Sequence, residues 1–164
     1  KTLGGLRKRQ LVSWSEGLLS VKDYPDEPTR LVADNIDWDN TKVWGDGGYY
    51  ARVFLNVEGR EPQGTIPAAD YESFRQEIKA KIESIPDENG QPIGTKVFLP
   101  EEVYRECKNI PPDLIVYFGD LDWRSAGTIG NKTIHVVEND TGPDDANHAQ
   151  EGIFIWHLFP ALKT

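Results

Sequence analysis

A chain of 164 residues, 38% of them hydrophobic, can bury one sizeable core, so the expected organisation is a single domain or domain fragment spanning 1–164. Its formal net charge of −9 excludes a general nucleic-acid or anionic-membrane binder, because both need a basic face. The lone cysteine, Cys107, excludes an internal disulfide and a cysteine-rich zinc site, and no apolar run approaches the roughly 18 to 20 residues of a membrane span.

With no signal-like opening either, the expectation is a soluble, cytoplasmic protein without nucleic-acid or membrane partners. The chain contains no methionine and opens on Lys1, which implies a piece of something longer. Residues 1–35 read as a helical lead-in and an extended connection, and residues 36–164 as the part that contains a sheet.

Along the chain, "LRKRQLVSWSEGLL" (6–19) carries a loose helical pattern, with Arg7, Lys8 and Arg9 as a solvated face. Residues 22–40, interrupted by Pro25 and Pro28, read as an extended connection. In "TKVWGDGGYYARVFLNV" (41–57), Val43 and Trp44 precede Gly45, Gly47 and Gly48, after which apolar Ala51, Val53, Leu55 and Val57 alternate with a mixed set. That is a hairpin pattern.

Pro67 opens the clearest helix, with Tyr71, Phe74, Ile78, Ile82 and Ile85 recurring at three- and four-residue steps, so this stripe is expected to face the core. "TKVFLP" reads as a strand and "PEEVYREC" as a short helix ending at Cys107, a partly buried structural thiol. "PPDLIVYFGD" reads as a central strand covered on both faces. Strand, helix, strand in that order predicts a right-handed crossover. "NKTIHVVEN" (131–139) and "GIFIWHLF" (152–159) read as further strands, giving an α/β fold with a mixed sheet and flanking helices.

Two loops invite chemistry. Residues 138–148 offer Glu138, Asp140, Asp144, Asp145 and His148, the hard oxygen and imidazole donors that metals use, although the same residue types also make surface turns. "DLDWRSAGTIGN" (120–131) follows a buried strand, where α/β proteins bind ligands. Arg124 could there grip a phosphate or carboxylate, or could pair with Asp120 or Asp122. His135 and His157 sit inside strand patterns and read as structural. No serine-histidine-acid order and no phosphate loop with its lysine is found.

Three stretches, "NIDWDNTKVWGDGGYYARVFLNVEGREPQGTI", "PPDLIVYFGD" and "NHAQEGIFIW", resemble in order and spacing the carboxyl-terminal part of the type I phosphodiesterase and nucleotide pyrophosphatase-like phosphohydrolases of the alkaline phosphatase superfamily. The likeness covers residues 36–156. It implies an alkaline phosphatase-like fold and a metal-dependent hydrolase of phosphomonoesters or phosphodiesters. Two divalent metal ions, zinc or manganese, are implied as cofactors and a phosphoester as substrate.

In that family the last metal-binding histidine lies just before a Gly-Ile-Phe strand, the position of His148 here, so His148 is the implied metal ligand and Arg124 the candidate substrate contact. The nucleophile of such enzymes and their Asp-His ligand pair have no counterpart in this chain. No catalytic residue is therefore assigned to it. It is expected to be inactive alone and to need the amino-terminal part of the same protein as its partner. Two alternatives are a non-catalytic interaction module with the same fold and part of a related phosphomutase. The metal reading further predicts that His148 is accessible at the carboxyl edge of the sheet, beside the loop that starts at Asp120.

Overall fold

The computed structural model describes residues 18–136 and 148–155. The helix expected over 6–19 lies outside them except for its end, where Leu18 is buried in the core. Residues 22–40 form a mostly irregular connection, as their prolines require, broken by a two-residue strand, β1 (Thr29–Arg30), and the single 3₁₀ turns Ala33–Asn35 and Trp38–Asn40.

The hairpin forms as its alternation demands. β2 (Val43–Gly47) and β3 (Ala51–Leu55) run antiparallel, with Val43 opposite Leu55 and Gly47 opposite Ala51. On β3, Ala51, Val53 and Leu55 are buried while Arg52 is exposed and Phe54 half-buried, so one face carries the core. Just beyond β3, the buried Asn56 donates from Nδ2 to the carbonyls of Trp38 (3.0 Å), Thr41 (2.8 Å) and Gln63 (2.7 Å), which ties the connections before β2 and after β3 to the end of the strand.

Pro67 and a 3₁₀ turn lead into α1 (Tyr71–Glu83). Ile78, Ile82 and Ile85 are buried, and Tyr71 and Phe74 pack half-buried against the same core, as their spacing implies. The stripe also holds Arg75, a charged residue that is nonetheless buried.

β4 (Lys96–Phe98), α2 (Pro100–Val103) and β5 (Leu114–Tyr117) occupy the three stretches expected for them, but the crossover does not occur. β4 and β5 are antiparallel neighbours, with Val97 opposite Val116. A parallel return needs a connection long enough to run back over a sheet face, usually on a helix. α2 has only 4 residues, and the chain turns back through Asn109 in the left-handed region (φ 60°) before Pro111 and Pro112.

The four-stranded sheet has the order β2-β3-β5-β4, and every ladder between named strands is antiparallel, so the expected mixed sheet is corrected to an antiparallel one. The broader expectation, a fold that combines helices with sheet, holds. β5 is interior, with Leu114, Ile115 and Val116 all buried. β1 pairs with β6 (Thr128–Ile129) in a second, two-stranded sheet.

Three other expectations are not met in the described residues. The described part of 131–139 forms no strand, although Ile134 and Val136 are buried. The described part of 152–159 is irregular and leaves Ile153, Phe154 and Ile155 exposed by 92%, 85% and 85%; hydrophobicity favours a strand only where another strand pairs with it. Cys107 is exposed, because the whole stretch 101–110 lies on the surface.

The polar group that joins these elements is Asp113, at the entrance to β5 and 3% exposed. It accepts from Leu55 N (2.6 Å), from Arg60 Nη1 (2.7 Å) and Nη2 (2.8 Å), and from the Tyr71 hydroxyl (2.7 Å). The Tyr71 ring has the guanidinium carbon of Arg60 at 5.3 Å and that of Arg75 at 5.2 Å, two cation–π contacts on one ring. Arg75 in turn pairs with Glu101 and, at 2.9 Å, with Glu72.

These contacts set the charge states. The hydrogen bonds to Asp113 hold the Arg60 guanidinium well above its usual range, burial and Asp113 push the Tyr71 hydroxyl up, and Arg75 holds the Glu101 carboxyl low. Because Tyr71 titrates higher in the folded state, its contribution is fully present below about pH 10 and is lost as pH rises through the folded value. Glu101, depressed on folding, contributes above the ordinary carboxylate range and loses that contribution as pH falls.

Chemical denaturation tests these assignments. Asp113→Ala leaves the buried Leu55 N–H and the half-buried Tyr71 hydroxyl without their acceptor, while the 44% exposed Arg60 guanidinium can turn to solvent, and should cost about 1–3 kcal/mol. A loss below about 1 kcal/mol would remove Asp113 from that role. Tyr71→Phe should flatten the fall in stability above about pH 10 that the wild type shows. Ile78→Ala should cost about 2–5 kcal/mol. Phe74→Ala, which removes a ring still partly in water, should fall below the about 3–5 kcal/mol of a fully buried phenylalanine.

Candidate functional site at the hairpin tip

β5 delivers the chain at its carboxyl end into a tight turn, Phe118–Leu121, in which three consecutive residues are left-handed: Gly119 (φ 55°), Asp120 (φ 59°) and Leu121 (φ 75°). Glycine is required at 119 on two counts, since a Cβ there would also stand 2.4 Å from Cδ1 of the Trp123 ring. Asp120 and Leu121 have no such freedom, so the turn is held by its surroundings.

Asp120 Oδ1 accepts from Lys96 Nζ on β4 at 2.9 Å and from Gln150 Nε2 at 2.8 Å. It thereby fastens the segment that carries His148 to the end of the sheet.

The same loop then reaches the tip of the β2–β3 hairpin. Ser125 donates to the carbonyl of Gly48 from its amide (3.0 Å) and from its hydroxyl (3.2 Å). Arg124, only 5% exposed, places its guanidinium carbon 5.4 Å from the centroid of the Tyr49 ring. On that ring also lies the imidazole of His148, with centroids 4.1 Å apart and planes within 9°. Arg124 and His148, picked out separately in the sequence, therefore meet on one tyrosine.

His148 is exposed and sits beside the Asp120 turn at the carboxyl end of β5, where accessibility was expected. Arg124 is enclosed against Tyr49 rather than extended into solvent. His135 has the structural place expected of it, with Nε2 3.0 Å from the carbonyl of Pro86 and its ring tilted against Trp123 at 5.1 Å. Glu138, Asp140, Asp144, Asp145 and His157 lie outside the described residues.

A metal ion needs a set of donors, and a single imidazole does not make one. Among the described residues no group of three or more histidine, cysteine, aspartate or glutamate side chains is placed to hold a metal ion, so these residues alone do not fit one.

Tyr49, Lys96 and Gln150 escaped the sequence reading. The one available signal was "GGYY", two aromatic residues in a turn where polar ones are usual.

Comparison with protein-family models, curated proteins and solved structures finds no match to this chain. Among the described residues, no helix is long and apolar enough to cross a membrane.

The stack is open to a direct test by proton NMR. The carbon-bound ring protons of His148, lying over the face of Tyr49, should resonate upfield of those of an unstacked histidine, and Tyr49→Leu should return them to ordinary positions. Equal shifts in both proteins would mean that the rings do not stack in solution.

Proposed function

We propose that this chain is the carboxyl-terminal portion of a metal-dependent phosphohydrolase of the alkaline phosphatase superfamily, acting on phosphomonoesters or phosphodiesters. In this reading His148 is one ligand position of a centre whose remaining ligands belong to the rest of the protein. Arg124 is the positive charge beside it that faces the phosphoryl group. Two divalent ions, zinc or manganese, are the cofactors of the whole protein.

One observation carries the reading beyond the resemblance itself. His148 and Arg124 are far apart in the chain, yet fold onto the same tyrosine at the carboxyl end of an interior strand. An imidazole and a guanidinium at one place are suited to a site that handles anions and metals.

The role of each residue follows from its contacts. Tyr49 restricts the rotation of the imidazole by lying flat against it. Burial of Arg124 lowers the dielectric around its charge and strengthens its field toward a phosphoryl oxygen. The two hydrogen bonds from Ser125 to Gly48 fix the distance between the arginine loop and the hairpin tip.

The interaction-module alternative is favoured by one feature, the exposed run Ile153, Phe154 and Ile155. Apolar side chains this exposed mark a surface that another segment covers. In the hydrolase reading, that cover is the amino-terminal part of the same protein.

The complete encoded protein, assayed with bis(p-nitrophenyl) phosphate and p-nitrophenyl phosphate in the presence of zinc or manganese, provides the test. It should turn over at least one of them, and the 164-residue chain alone should not. His148→Ala in the complete protein should lower kcat by more than about 100-fold, beyond the loss typical of an outer hydrogen-bond partner. Excess metal should restore part of that loss. An alanine variant with undiminished turnover would overturn the assignment of His148.

A further inference from the structure

We propose that Asp120 is a positioning residue for His148, and that the left-handed turn Gly119–Leu121 serves to present its carboxylate for that purpose. The inference deepens the reading of His148 as a metal-ligand position and rests on it for its functional meaning.

Three observations meet at Asp120. First, its backbone lies at φ 59° and is followed by Leu121 at φ 75°, conformations that a glycine would adopt without strain. A strained, non-glycine residue held in this region often marks a place where the side chain is needed.

Second, the Asp120 carboxylate does not serve its own turn. It reaches two segments distant in sequence, Lys96 on β4 and Gln150 two residues beyond His148. Lys96 and Asp120 both keep about half or more of their side chains in solvent, at 52% and 62%, so the ion pair contributes little stability by itself. Its effect is to aim the carboxylate.

Third, His148 is held from the other side by Tyr49, and Tyr49 by the loop that begins with this same turn, through Arg124 and Ser125. The described residues from His148 onward, 148–155, contain no helix or strand. The turn at 119–121 and the loop through 125 thus grip it at two points: the carboxylate of Asp120 holds Gln150, and the ring of Tyr49 holds the imidazole. Releasing the first grip frees the backbone beside the histidine, and the stack is then left to hold an otherwise irregular segment.

Glycine and asparagine at position 120 separate this role from a structural one. Glycine relieves the backbone and deletes the carboxylate. Asparagine tolerates the left-handed conformation and keeps an oxygen for Gln150. In the full chain, Asp120→Gly should abolish most of the upfield displacement of the His148 ring protons while leaving the Tm unchanged or raised.

Asp120→Asn should keep the displacement, and Gln150→Ala should lose it as Asp120→Gly does. Retention of the wild-type displacement in Asp120→Gly or in Gln150→Ala would overturn the proposal. So would a marked fall in Tm with Asp120→Gly, which would make the residue a structural one. None of these measurements involves turnover, so failure of the clamp is distinguishable from failure of the phosphohydrolase reading, which is judged by His148→Ala in the complete protein.

Discussion

The fold depends on the carboxylate of Asp113. It is buried at the entrance to the interior strand β5, and its two oxygens accept four hydrogen bonds from three elements: β3 through Leu55, the turn after β3 through both Nη atoms of Arg60, and α1 through Tyr71. A buried charge of this kind is costly unless fully partnered, so the arrangement stabilises the structure less by its own energy than by penalising any arrangement that misaligns those three elements. The bidentate geometry with Arg60 is specific in angle as well as distance.

The consequence runs along β5. With its start fixed by Asp113 and its body enclosed between β3 and β4, the strand has one permitted register, and Phe118 must follow where it does. The chain then leaves the sheet through the left-handed turn and passes in a few residues to Arg124 and Ser125 at the hairpin tip. The hairpin tip is itself placed by the β2–β3 register. A buried pairing at one end of β5 thus determines which side chains gather at the other end, where Tyr49, Arg124 and His148 meet.

How much of this could be read from the sequence differs by element, for physical reasons. α1 and the β2–β3 hairpin were legible because each is stated locally, by three- and four-residue steps in one case and by alternation around a glycine turn in the other. The interior place of β5 was legible from its unbroken apolar run. The direction of β4 against β5 was not, since pairing direction is decided by how far the connection travels, and a one-turn helix resembles the start of a longer one. The described parts of the stretches 131–139 and 152–159 form no strand, which shows the limit of hydrophobic pattern as a signal, because a strand exists only with a partner. The burial of Arg75 was harder to see: Glu72 and the Tyr71 ring lie one turn away on the same helix, but Glu101 is brought to it by the fold. His148 and Arg124 were recognisable as chemical types, but their meeting on Tyr49 joins three loops distant in sequence, and no spacing rule encodes it.

The functional account therefore rests on whether the imidazole at the hairpin tip belongs to a metal centre in the whole protein. X-ray absorption at the zinc edge of the complete, zinc-loaded protein, compared with its His148→Ala variant, tests this most directly. The account predicts that the variant loses one imidazole scatterer from the zinc coordination shell. An identical shell in the two proteins would contradict it, and would leave the stack of Tyr49 and His148 as an element of packing.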